Sequence, residues 1–388
     1  MRKYLWLQRV SVRAIIGLAC LLALAACDSP TVNQKATPTA LQSSGTPFPK
    51  PTLKPSATAA APPATGNVTL VYDDQMGDVL FLGDTFYSDP NQPAQTWIWN
   101  GSAWMHLHPA HEPSIRSNVA IAYDPATKQV VLFGGISSLA NMNMLSDTWT
   151  WDGNDWTQQH PATSPPARDD AALAYDAATN QLVLFGGGSN GPSIGRPFPP
   201  PLNDTWIWTG SNWIEQHPTT SPLPVLSPDL AYDAAQHTLI LFGGFSADAM
   251  PVPKELNDTW QWTGSNWVQL HPQTRPSLFD TINGHQVLYS YPNMVYNPQT
   301  QQIFLLFGGD DDNNHKYQVG WLWDGTNWSK AKVDGPTTPA DTGYLLYDAS
   351  MQGVLEMTDF LPSTSISFDT SLWKLEGQSW VKLDEWGL

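Results

Sequence analysis

The sequence predicts an all-β fold, a six-bladed β-propeller with four antiparallel strands per blade, and three observations predict it. A Tyr-Asp or Tyr-Asn step recurs at Tyr72, Tyr123, Tyr175, Tyr232, Tyr296 and Tyr347, with spacings of 51, 52, 57, 64 and 51 residues. An aliphatic run follows each step, as in Leu182-Val183-Leu184-Phe185, and in four units it closes on a Gly-Gly doublet. A Trp-x-Trp-x-Gly-x-x-Trp segment comes next, whole in units one to five. A period near fifty residues with four short strands per unit is how a propeller is written.

The elements follow in chain order. Residues 1–26 read as a leader: Arg2, Lys3, Arg9 and Arg13 make a basic start, and Ala14 to Ala26 is apolar. That run is too short to span a bilayer, which takes about 20 residues. It ends in Leu24-Ala25-Ala26-Cys27, which resembles a bacterial lipobox. The resemblance implies lipidation at Cys27 and attachment to the outer, extracytoplasmic face of the cell membrane. Cys20, inside the leader, is the other cysteine, so the exported domain is expected to rely on its core rather than on disulfides. Residues 27–65 are rich in Pro, Thr, Ser and Ala and read as a disordered linker, because such a chain cannot bury enough apolar surface to fold. At about 3 Å per residue it would reach on the order of 100 Å. Residues 66–388 carry the repeats.

The chain has 18 basic and 35 acidic residues, a formal net charge of −17. Loss of the leader removes four basic residues and sharpens that balance. The charge argues against nucleic acid or an anionic membrane face as partner. It is compatible with a protein, a peptide, a glycan or a cation.

Within a unit, strand a ends in a step such as Ile121-Ala122-Tyr123-Asp124, and a polar turn follows, where the acid can bond the backbone ahead of it. Strand b is continuous and apolar, as expected of a strand buried on both faces. Strand c carries tryptophans at i and i+2, on one face. The c–d turn holds Gly101, Gly153, Gly210, Gly264, Gly325 or Gly377, suited to a tight hairpin. Strand d opens on Trp104, Trp156, Trp213, Trp267, Trp328 or Trp380.

This pattern resembles the kelch repeat, found also in the central domain of galactose oxidase. The matching residues are Gly134-Gly135, Gly186-Gly187, Gly243-Gly244 and Gly308-Gly309, with the tryptophans downstream. Unit one keeps only Gly83, and unit six reads Leu355-Glu356-Met357-Thr358 instead. A seventh blade within Gln273 to Tyr291 is not expected, since that stretch lacks both Gly-Gly and tryptophan.

The a–b and c–d turns are uniformly tight, whereas the b–c and d–a connections are long and different in every unit. Sequence variety therefore gathers on one face of the disc, where a binding site is expected. The candidate ligand contacts there are Arg196, Phe198, Phe245, Phe279 and Asp280. Arg116 and Arg168 lie seven residues before their tyrosines, at the mouth of strand a, where they would meet a ligand carboxylate. The kelch resemblance implies binding near this mouth. The alternative is an arginine bonded to Asp147 or Asp204 at the start of strand c. Asp310, Asp312 and Asn314 alternate in an acidic run suited to calcium, though the run lacks the glycine and distal glutamate of an EF-hand loop, and a solvated acidic loop is the competing reading. No other cofactor is expected.

Two tempting features are assigned to the framework. Of the 19 tryptophans, all but Trp6 and Trp386 fall at repeat positions, and recurrence in every unit marks packing rather than a sugar-binding ladder. His108, His160, His217 and His271 each follow a strand-d tryptophan by four residues. Strand d is the outermost of its blade, so these histidines would sit too far apart around the rim to share a metal ion.

Enzymatic readings are weaker. Galactose oxidase-like copper chemistry needs a cysteine cross-linked to tyrosine, and residues 66–388 contain no cysteine. Sialidase and kelch-type mutarotase sites need arginines for a carboxylate, and this chain is arginine-poor. The expected protein is a monomeric, non-catalytic binding or scaffold module. The runner-up is a carbohydrate-active enzyme, of hydrolase or mutarotase type, at the axial mouth.

Overall fold

The computed structural model describes Thr58, Ala59, Pro62 and most of residues 68–387; residues 75, 84–92, 138–142, 190–199, 247–253, 283–284, 312–315, 333–341 and 361–368 are left out of the description. Six antiparallel meanders stand in a ring. Blade two is Ala120–Asp124, Gln129–Phe133, Thr148–Trp151 and Trp156–Gln159, and blade three repeats it as Ala172–Asp176, Gln181–Phe185, Thr205–Trp208 and Trp213–Gln216. Blade four is Asp229–Asp233, Thr238–Phe242, Thr259–Trp262 and Trp267–Leu270. Blade one begins at Val68–Asp73, blade five at His285–Asn297 and blade six at Thr342–Asp348. The first strands are neighbours around the axis, and that of blade six closes on that of blade one.

Local chemistry sets each unit. The acid of the Tyr-Asp step is buried and caps its own turn: Asp124 accepts from the Ala126 N–H at 3.0 Å and the Thr127 hydroxyl at 2.8 Å. Asp176 repeats this with Ala178 and Thr179, and Asp348 with Ser350 and Met351. These side chains stand in for backbone partners, so the turn stays tight. Strand b of blade three, Leu182 to Phe185, is fully buried. Trp151, Trp156, Trp208, Trp213, Trp262, Trp267, Trp323 and Trp328 are among the largest fully buried side chains. Burial of each ring contributes about 2–3 kcal/mol, and the tryptophans are framework.

Two further bonds join blade to blade. The strand-d tryptophan donates its indole N–H to the strand-c threonine of the preceding blade: Trp156 to Thr96 (3.1 Å), Trp213 to Thr148, Trp267 to Thr205 and Trp328 to Thr259 (2.9 Å each). The side chain just before that tryptophan accepts a backbone N–H from the preceding blade's exit: Asp155 from His111, Asn212 from Thr163, Asn266 from Thr220 and Asn327 from Gln273. Thr148→Val would leave the Trp213 N–H buried without an acceptor, at a cost of about 1–3 kcal/mol. Urea unfolding should show that loss, with Thr148→Ser close to the parent.

Two features differ from the sequence expectation. Thr58–Ala59, inside the expected linker, pairs with Met105 and His106 on the outer strand of blade one, covering an otherwise open sheet edge. Gly308-Gly309 does not end its strand: Gln302–Asp311 runs straight through both glycines and pairs on both sides. As expected, the insertion before blade five forms no seventh blade. Its Phe279–Ile282 pairs with the first part of His285–Asn297, whose register shifts between Ser290 and Asn293. That bulge lets blade five carry extra strand length beyond the level where its neighbours stop.

Candidate functional site: the axial mouth on the long-loop face

The second glycine of each doublet shapes the entry to strand a. A Cβ on Gly135 would meet the Ser117 carbonyl and Val119, one on Gly187 would meet the Asp169 carbonyl and Ala171, and one on Gly244 would meet the Leu226 carbonyl and Pro228. The residue straddled in each case has a left-handed backbone: Asn118 (φ 56°), Asp170 (φ 51°) and Ser227 (φ 48°). Such φ values are uncommon outside glycine and concentrate where surrounding structure enforces them. Here the absent glycine side chain makes the room.

These three residues link across blades. The Asp170 N–H donates to the Asn118 carbonyl at 3.0 Å, and the Ser227 N–H to the Asp170 carbonyl at 3.1 Å. The Asn118 amide also donates to the Asp170 carboxylate at 3.3 Å. The result is a half-ring around the axis from blades two to four, in which the Asn118 amide and the Asp170 carboxylate bond each other and the Ser227 hydroxyl is buried. Two residues further along, at the start of strand a, alanines 120 and 172 give way to Asp229. Asp229 accepts from its neighbour Leu230 N–H at 2.8 Å and from the Met294 N–H beside the blade-five bulge. Burial pushes its carboxyl up to about 7, against the lowering effect of those two N–H groups.

The arginines anchor this half-ring rather than line it. Arg116 directs all five donors inward: Nη1 and Nη2 to Asp147 at 2.6 and 2.9 Å, and the rest to the Gly134 carbonyl, the Ser114 carbonyl and the Ser114 hydroxyl. Arg168 repeats the fork on Asp204 at 2.7 Å twice, with the Gly186 and Pro166 carbonyls. Both side chains are 1% exposed. Burial alone would raise the Asp147 and Asp204 carboxyls, but the paired guanidinium outweighs it and holds both below the ordinary range. The alternative reading of these arginines, a bond to the acid of strand c, is the geometry found.

The other sequence candidates scatter. Phe245 is buried, in a short ladder with Lys254–Glu255. Phe279 is 61% exposed on the added hairpin, and Asp280 beside it bonds Lys330 at 2.8 Å; that bond holds its carboxyl low. Asp310 lies in strand, paired with Leu288 and Lys316. Arg196, Phe198, Asp312, Asn314 and Cys27 fall outside the described residues. His108, His160, His217 and His271 are exposed. Among the described residues no group of three or more His, Cys, Asp or Glu is placed to hold a metal ion.

Sequence reasoning missed Asn118, Asp170, Ser227 and Asp229. A signal existed: the half-ring residue stands five before each repeat tyrosine, and it is polar in units two to four.

Comparison with known proteins bears on the fold. YjhT is similar over 86% of this chain and 98% of its own, with 12% identity and a TM-score of 0.52. The likeness is one of fold. A protein of unknown function from Dyadobacter fermentans aligns over 85% of this chain and 94% of its own (9% identity, TM-score 0.47), and AofleA from Arthrobotrys oligospora over 83% and 86% (9%, 0.49). No protein-family model matches the chain, and no curated protein matches its sequence.

Proposed function

We propose that the chain is a kelch-type binding module, lipid-anchored through Cys27 outside the cell, that takes a protein, peptide or glycan at the axial mouth. The observation that carries this reading is the half-ring of Asn118, Asp170 and Ser227. The Asn118 amide and the Asp170 carboxylate stand there side by side on left-handed backbone at the entry to strand a. Elsewhere the repeat positions serve turns and seams. A screen of glycans and secreted peptides against the exported chain tests it, with calcium and with chelator. Asn118→Gly and Asp170→Gly keep the left-handed backbone and remove the side chains. They should weaken binding at least about tenfold with little change in Tm. Binding indifferent to both would move the site to the outer loops, and binding lost only with chelator would shift it to Asp310, Asp312 and Asn314.

The second reading, a carbohydrate-active enzyme, draws support from Asp229. A carboxyl that titrates near neutral pH at a mouth suits general acid–base work. Turnover of a glycan that disappears in Asp229→Asn, with binding retained, would favour it.

A further inference from the structure

The seam between blades five and six differs from the four latched ones. In strand c of blade five the position of the latch threonine is Gly320, and the Trp380 indole N–H that would reach it is buried without a partner. The strand-b position two beyond the partner of the repeat tyrosine is Leu132, Leu184, Leu241 or Leu305 in blades two to five. In blade six it is Glu356, fully buried. Across the seam the Gln318 side-chain amide donates to Glu356 Oε1 at 2.5 Å. That single bond leaves Glu356 Oε2 and Gln318 Oε1 both buried and without partners.

Two orphan acceptors on one bonded pair are an unfavourable arrangement for an ionised carboxylate. One proton on Oε2 repairs it, because a carboxylic acid and a primary amide can exchange two hydrogen bonds face to face. We propose that Glu356 is a buried proton-binding site, and that its proton closes the ring between blades five and six by converting one hydrogen bond to Gln318 into a reciprocal pair. Loss of the proton leaves a charge with one donor in an apolar seam, so this junction loosens as pH rises.

Burial pushes the Glu356 carboxyl from 4.5 up to about 8, and the Gln318 amide opposes that only in part. Among the described residues, the groups set against it are uncharged: Leu345 and Trp373 from its own sheet and Gln318 from blade five. Lys382 sits over the Trp373 ring and Lys374 beside Glu376. The folded state therefore binds this proton more tightly than the unfolded chain, and stability falls as pH rises between the ordinary carboxylate range and about 8.

Thermal unfolding of the exported chain and of Glu356→Gln tests the inference over about pH 5 to 9. The glutamine keeps a reciprocal amide pair and cannot ionise. Its Tm advantage over the parent should be near zero at the acid end, grow steadily, and level off above about pH 8. Comparing the two proteins cancels Asp229, which titrates in both. A gap independent of pH would overturn the proposal. Should the variant not fold, isotope-edited infrared spectra of glutamate-labelled Glu112→Gln protein decide the matter, since burial also pushes Glu112 up to about 7. A protonated carboxyl band persisting through neutral pH supports the site, and its absence at about pH 6 refutes it.

Discussion

Arg168→Ala is expected to destabilise the propeller by about 3–5 kcal/mol, the usual cost of leaving one member of a buried ion pair alone. The change removes a fork on Asp204 and strands the Gly186 and Pro166 carbonyls. Asp204 keeps one further donor, the Trp206 indole at 2.6 Å. Arg168→Lys should fall between, since an ammonium keeps the charge but not the planar fork. Removing Asp204 as well should recover part of the loss, and a double-mutant cycle in urea would measure the coupling. Additive losses would show that the pair contributes little. The consequence for function is direct. A ligand that no longer binds Arg168→Ala reports a collapsed mouth unless Tm is shown to survive.

Gly187→Ala is expected to be at least as damaging. The new Cβ would collide with the Asp169 carbonyl and lie 2.9 Å from Ala171, at a φ of +90°. The conformation alone costs about 1–3 kcal/mol, and the collision is with backbone that cannot swing aside. A total on the order of 4 kcal/mol or more follows. Gly377→Ala is the internal control, because nothing lies within 4 Å of its Cβ at φ +65°, and about 1 kcal/mol is expected. Thermal unfolding of the two variants should separate them clearly. Equal effects would mean that Gly187 is needed for its dihedral and not for the space above Asp170. Milder substitutions here should displace Asp170 before they unfold the blade, so ligand affinity would fall ahead of Tm.

The repeat tyrosines, the capping aspartates, the apolar second strands and the tryptophans were all legible in the sequence. Each shows as a pattern within one unit: alternation along a strand, an acid bonding the backbone two or three residues on, a glycine in a hairpin, a tryptophan at a fixed offset. Such signals survive in a one-dimensional reading because cause and effect lie a few residues apart. The half-ring was harder to read, although Asn118, Asp170 and Ser227 share one offset from their tyrosines. What makes them a set is the room above Gly135, Gly187 and Gly244, and a Gly-Gly doublet does not announce what will rest on it.

The sequence by itself determined the blade count, the strand order and the face on which the variable connections gather. The tertiary structure alone decided which polar residues gather at the axis and which are locked into the framework. Arg116 and Arg168 stand at the mouth by position, yet pairing with Asp147 and Asp204 turns them into framework. Glu356 looks like one more departure in a divergent last repeat until Gln318, 38 residues earlier, is set against it. The physical reason is common to both. A charge or a hydrogen-bonding group acts through its partner, and in a ring of blades the partner arrives from across a strand or a seam.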